Sequence, residues 1–114
     1  MKKVALASIV LASSLFAGGF VSSKSNDVMS IAEIKNSARD DQMVTFRGYI
    51  KKQLDDDEYI VTDKKGNEIE VEIDDDKWNG LIADESTYLE IYGEVDRDSA
   101  RDVEIDAKSV KAVK

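Results

Sequence analysis

The 114-residue sequence contains no cysteine and no histidine. Without cysteine there is no disulfide framework and no thiol nucleophile, so packing alone must hold the fold. Without histidine the commonest general base and the commonest transition-metal ligand are gone, leaving carboxylates and hydroxyls as reactive groups. Positive charge is scarce as well: 16 Lys and Arg stand against 24 Asp and Glu, a formal net charge of −8. That balance disfavours phosphate backbones and anionic lipid and favours cationic partners.

What is present begins with a leader pattern. Lys2 and Lys3 precede an uncharged run from Val4 to Phe20 rich in Ala, Val, Leu and Ser, the form of a secretory signal peptide. Ala17 and Gly19, or Val21 and Ser23, supply the small-residue positions, so cleavage is expected after residue 19 to 23. The run is short for a membrane span, so no stable anchor is expected after cleavage. With residues 1–23 removed, residues 24–114 make one modest domain and the formal charge moves to −10 through loss of Lys2 and Lys3. Export is the expectation.

Ser30-Ile31-Ala32-Glu33 has the capping-box form and starts a short helix, with Ile31, Ile34 and Ala38 on one stripe and an end near Arg39 to Asp41. From Met43 the period becomes two. Val44, Phe46 and Ile50 share one parity, and Gly48 between them suggests a bend or bulge in a long first strand. Tyr59 to Thr62 and Glu68 to Ile73 flank a hairpin loop, Asp63 to Asn67, whose Gly66 suits positive φ. In the second of these, Ile69, Val71 and Ile73 point inward and Glu68, Glu70 and Glu72 outward. Strands from Tyr88 to Val95 and from Val103 to Val113 follow. Five strands with a bent first strand and a preceding helix predict an all-β domain, a small Greek-key barrel of the OB type.

Two acid clusters invite a metal reading. Asp74, Asp75 and Asp76 end the VEI strand ahead of Trp78-Asn79-Gly80, and Asp55, Asp56 and Asp57 precede Glu58. Neither EF-hand frame works: starting at Asp74 puts Trp78 at the fifth position, and starting at Asp75 puts Lys77 at the third and Ser86 at the twelfth. The simpler reading is a strand end that caps a helical turn, with Trp78 folded onto a barrel end, and a solvated hairpin tip. If the two loops converge, their carboxylates offer hard oxygen ligands to Ca²⁺ or another cation.

OB barrels commonly bind along the second and third strands. There Glu68, Glu70 and Glu72 repel nucleic acid and suit a cationic ligand. Tyr49, Tyr88 and Tyr92, beside Arg47, form either an aromatic platform or cross-strand pairs that stiffen the sheet. Glycosidases also use paired carboxylates, but in so acidic a chain a suitable pair carries no information, and the domain has little room for a sugar cleft. No serine beyond the leader has a histidine to activate it. The chain reads as a non-enzyme with no catalytic residue and no cofactor.

Val44-Thr45-Phe46-Arg47-Gly48-Tyr49-Ile50, then Tyr59, Asp63 and Gly66, then Val71-Glu72-Ile73-Asp74 with Trp78-Asn79-Gly80, then Gly93-Glu94-Val95-Asp96-Arg97-Asp98 and Val103-Glu104-Ile105-Asp106, form a pattern. In order and spacing it resembles the bacterial OB-fold (BOF) family of small periplasmic stress-tolerance proteins, the YgiW/YdeI type. The resemblance implies a five-stranded barrel after a helix, a periplasmic location and a role in tolerating envelope stress, with no established catalytic site. Many family members carry a Gly-Phe-Gly-Pro-like segment ahead of the helix; here the shorter Lys24 to Met29 takes that place. Two functions follow as expectations. One is a binding module that engages a metal ion, a cationic peptide or an envelope component through Glu68, Glu70, Glu72, Tyr49, Tyr92 and Trp78. The other is a scaffold that docks on an envelope protein or assembles into a homo-oligomer.

Overall fold

The computed structural model describes residues 27–114. The expected leader and its cleavage position lie outside the described residues. The element order is β1 (Val28–Met29), α1 (Ile31–Ser37), β2 (Met43–Asp55), β3 (Glu58–Thr62), β4 (Glu68–Glu72), a 3₁₀ helix (Asp75–Trp78), β5 (Leu89–Arg97) and β6 (Val103–Ala112).

The capping box forms as read. The Ser30 side chain accepts from the Glu33 N–H at 3.0 Å, and the Glu33 carboxylate accepts from the Ser30 N–H at 2.9 Å. Ile31 and Ile34 bury the helix stripe. The helix stops at Ser37, short of the expected Arg39 to Asp41, because Ala38 turns extended. Its last carbonyls are taken by Arg97, whose guanidinium donates to Ile34 O at 3.0 Å, Lys35 O at 2.9 Å and Ala38 O at 2.8 Å. A cation at a helix C-terminus is also favoured by the helix dipole.

β2 is the long strand that serves two halves of the barrel. Met43 to Gly48 pair antiparallel with β5, and from Tyr49 onward the strand pairs with β3. The handover falls at Gly48, where a Cβ would sit 2.6 Å from Thr62 O and 2.7 Å from Val61 Cγ1. Gly48 is therefore a close-approach residue, and the bulge itself lies just beyond it, between Ile50 and Lys52. β4 pairs antiparallel with β3 and parallel with β6, and β6 pairs with β5, so the barrel closes.

Six strands form where five were expected. The sixth is β1, where Val28 and Met29 lie parallel to Thr45 and Phe46 of β2. Two residues carry no alternation, so periodicity had nothing to detect. Phe46, Val71, Ile73, Ile91 and Ile105 are fully buried as expected, together with Val61, Leu89 and Val95. Ile50 is only half-buried, a correction: the bulge after it places it at the rim of the core, packed against the cluster.

Candidate binding face

The outward residues of β3, β4, β6 and β5 stand in register. One row across the four strands reads Glu58, Glu72, Asp106, Glu94, and the next reads Ile60, Glu70, Glu104, Asp96. Seven carboxylates thus occupy neighbouring positions on strands about 4.8 Å apart. Opposed like charges destabilise a sheet, and here they meet across three strand junctions. Among the described residues Lys108 alone forms ion pairs with this grid, at 3.1 Å to Asp106 and 3.9 Å to Glu94. It is the extra residue where the β5–β6 register shifts.

Carboxylate oxygens gather into two groups of three, each within 4.8 Å: Asp57, Glu72 and Asp74, and Glu58, Glu70 and Glu104. Burial pushes the Glu72 carboxyl above its ordinary range, helped by Asp106, Asp57 and Asp74. Burial does the same at Glu104, with Glu70 and Glu58 adding to it. Asp96 is pushed up by Asp98 first, then by burial and Asp40. In all three, neighbouring carboxylates add to the rise.

Sequence reasoning found the acidic grid only in part. Glu70 and Glu72 belong to the grid, but Glu68 does not share its unpaired state: it forms an ion pair with Lys51, whose hydrogen bond holds its carboxyl below the usual range. The Lys35 ammonium also donates to Glu68 O at 3.0 Å. The two acid loops do converge, through one residue each, Asp57 and Asp74. Asp55 and Asp56 remain at the hairpin tip, where Asp55 Oδ1 accepts from the Asp56 N–H at 2.8 Å. Asp75 and Asp76 lie exposed on the 3₁₀ helix, and Asp76 pairs with Lys77 at 3.4 Å. Asp74 stands at the N-cap without the expected side-chain capping bond. In the sequence Glu58 reads only as the end of the Asp55 to Asp57 cluster, and Glu104, Asp106, Glu94 and Asp96 escaped the sequence reading. Their signal is the parallel β4–β6 pairing, which joins segments far apart in the chain.

The tyrosines do not form one platform. Tyr49 of β2 and Tyr88, just ahead of β5, pair with ring centroids 4.9 Å apart, and the Lys64 ammonium lies 4.6 Å from the Tyr88 centroid. Tyr92 stands opposite Thr45, and the Arg47–Glu90 ion pair at 2.9 Å lies between it and the other two rings. Burial tends to raise the Glu90 carboxyl, but hydrogen bonds from Arg47 and Lys111 outweigh it and leave it below the usual range. Trp78 folds onto the barrel end as read, with Tyr59 edge-on at 5.7 Å and 82°. Asn79 and Gly80, both with positive φ, end the turn after it.

A closed five-strand barrel with a bent β2, an added β1 and a helix ahead of it defines the class: an OB-fold protein. Among the described residues no helix is long and apolar enough to cross a membrane. The chain belongs to the bacterial OB fold (BOF) protein family, whose model matches residues 11–112. Protein YgiW of Escherichia coli K12 is 41% identical over 88 residues, a stretch covering 77% of this chain and 66% of that protein, slightly less than two thirds of its length. The solved structure of E. coli ygiW superposes with a TM-score of 0.71 at 40% identity, covering 78% of this chain and 92% of that one. A Haemophilus influenzae protein is 36% identical over 119 residues, covering 97% of this chain and 98% of that protein. Replication protein A of U. maydis, solved bound to ssDNA, shares the fold alone, with a TM-score of 0.57 at 13% identity over 78% of this chain and 73% of that one.

Proposed function

We propose that the chain is an exported, non-enzymatic OB-fold binding module of the bacterial envelope, acting in stress tolerance by engaging cationic ligands on the outer face of β3, β4, β6 and β5. The observation that carries this reading is the register of Glu58, Glu72, Asp106 and Glu94 beside Glu70, Glu104 and Asp96. Selection for stability alone removes opposed like charges, and a bound cation offsets their repulsion. The two three-carboxylate groups supply hard oxygen ligands of the kind Ca²⁺ takes. A longer polycation can span both rows. The same face repels a phosphate backbone, so single-stranded DNA or RNA is not a ligand in this reading although the fold occurs in ssDNA-binding proteins.

The carrying experiment is calorimetric titration of the mature protein with Ca²⁺, Cd²⁺ and oligolysine. Saturable binding of at least one, weakened by Glu70→Gln with Glu72→Gln and Glu104→Gln, supports the module. Absence of binding by all three leaves the protein a docking scaffold. Export is tested by the mass of the protein recovered from a native-type host: loss of the first 19 to 23 residues is expected, and an intact Met1 in the membrane fraction contradicts it.

A further inference from the structure

At the barrel end a groove of about 500 Å³ opens between the 3₁₀ helix, the loop after it and the β2–β3 hairpin. Its floor is apolar, built from Ile50, Tyr59, Trp78, Leu81 and Ala83. The edge contact between Tyr59 and Trp78 fixes that floor. Ile82 lines the same groove yet is 93% exposed, and Leu54 on the neighbouring hairpin is 44% exposed. A β-branched apolar side chain held almost wholly in water beside an open apolar groove gains nothing for the fold.

The charge around the groove decides its occupant. Asp84 lines the groove itself; Asp75 and Asp76, the latter paired with Lys77, lie on the 3₁₀ helix that presents Trp78, and Asp55 and Asp56 on the hairpin that supplies Gln53. Glu85 is on the rim. Lys52 also lines the groove, so its lining carries two carboxylates, Asp84 and Glu85, against one ammonium. A second copy of the chain docked here symmetrically would set each copy's aspartates against the other's, and an anionic lipid surface would be repelled. A peptide that places a large apolar side chain in the groove and Lys or Arg on the flanking acids satisfies both features.

We propose that this groove is a binding site for the apolar side chain of a basic, amphipathic peptide segment. The inference rests on the reading of the acidic sheet as a cation-binding face. Asp57 belongs to the β2–β3 hairpin and Asp74 directly precedes the 3₁₀ helix, so both elements that border the groove also carry a carboxylate of the acidic face. The ligand class is then an amphipathic cationic peptide rather than a bare metal ion.

The sequence holds a single tryptophan, so its emission reports the groove directly. Two hexapeptides of equal charge, Lys-Lys-Leu-Leu-Lys-Lys and Lys-Lys-Ser-Ser-Lys-Lys, are titrated into the mature protein and into its Ile82→Ser variant. Ile82 is exposed, so the variant is expected to keep the fold, and its circular dichroism spectrum checks this. The leucine peptide should bind about tenfold tighter than the serine peptide, as expected for partial burial of a leucine side chain. It alone should shift the Trp78 emission to the blue, and Ile82→Ser should abolish most of the gain while leaving the serine peptide's affinity unchanged. Equal affinities for the two peptides, with both binding, overturn the groove proposal and spare the acidic face. Binding of the leucine peptide alone supports the groove and sinks the acidic face. Failure of both peptides removes both readings. Concentration-dependent dimerisation of the free protein that Ile82→Ser abolishes would assign the groove to a second copy and overturn the proposal.

Discussion

Glu70 of β4 lies directly opposite Glu104 of β6, and oxygens of both come within 4.8 Å of each other and of Glu58. In a sheet held together by packing alone, such a pair is a local liability. Glu104→Gln should therefore stabilise the free protein at neutral pH by roughly 0.2–1 kcal/mol, the range for cross-strand pairs. Urea unfolding of the wild type and the variant measures this. A clear loss of stability would show that Glu104 has a partner that the grid does not supply.

The same repulsion sets a pH dependence. Glu72 and Glu104 titrate above the ordinary carboxylate range, through burial first and neighbouring carboxylates second, so the native state holds their protons more tightly than the unfolded chain does. Their contribution to stability is fully present below the unfolded carboxylate pKa, about 4.3, and is lost as pH rises through the raised native values. Relative to Glu72→Gln with Glu104→Gln, the wild type should gain stability as pH falls from neutral toward that range. Parallel stability curves for the two proteins would contradict it.

Core burial gives a register test. Ile73 is fully buried and its N–H donates to Asp57 O at 2.7 Å, while its neighbour Glu72 faces outward. Ile73→Ala should cost about 2–5 kcal/mol by chemical denaturation, a large share of what so small a domain has. Glu72→Ala should cost far less.

Gly93 tests the closeness of β5 and β6. A Cβ there would stand 2.6 Å from Asp106 O and 2.7 Å from Ile105 Cγ2. Gly93→Ala should destabilise by about 1–3 kcal/mol through overpacking. Gly66→Ala, where the turn is open and φ is positive, tests conformation instead. A neutral Gly93→Ala would mean the strands part more easily than the register implies.

These tests also mark how far the sequence could be read. The capping box of Ser30 and Glu33, the parity of Glu68 to Ile73 and the special place of Gly48 in a long strand were legible because each is written in residues close along the chain. The partnership of Glu70 with Glu104 was not, since a parallel pairing of distant strands leaves no local period. Glu68 looked equivalent to Glu70 by alternation, yet Lys51 of β2 neutralises it over the intervening β3. β1 and the half-exposure of Ile50 follow from pairing and from a bulge, and neither alters the hydrophobic pattern.

The central claim is that the unpaired carboxylates of β4 and β6 select a cation. Isothermal titration of oligolysine at physiological salt into the wild type, Glu68→Gln, and the triple variant Glu70→Gln, Glu72→Gln, Glu104→Gln tests it most directly. The account predicts binding that weakens as salt screens beyond about 8 Å, little change for the already paired Glu68, and a loss of about tenfold or more in the triple variant. Equal affinity in all three proteins would contradict it.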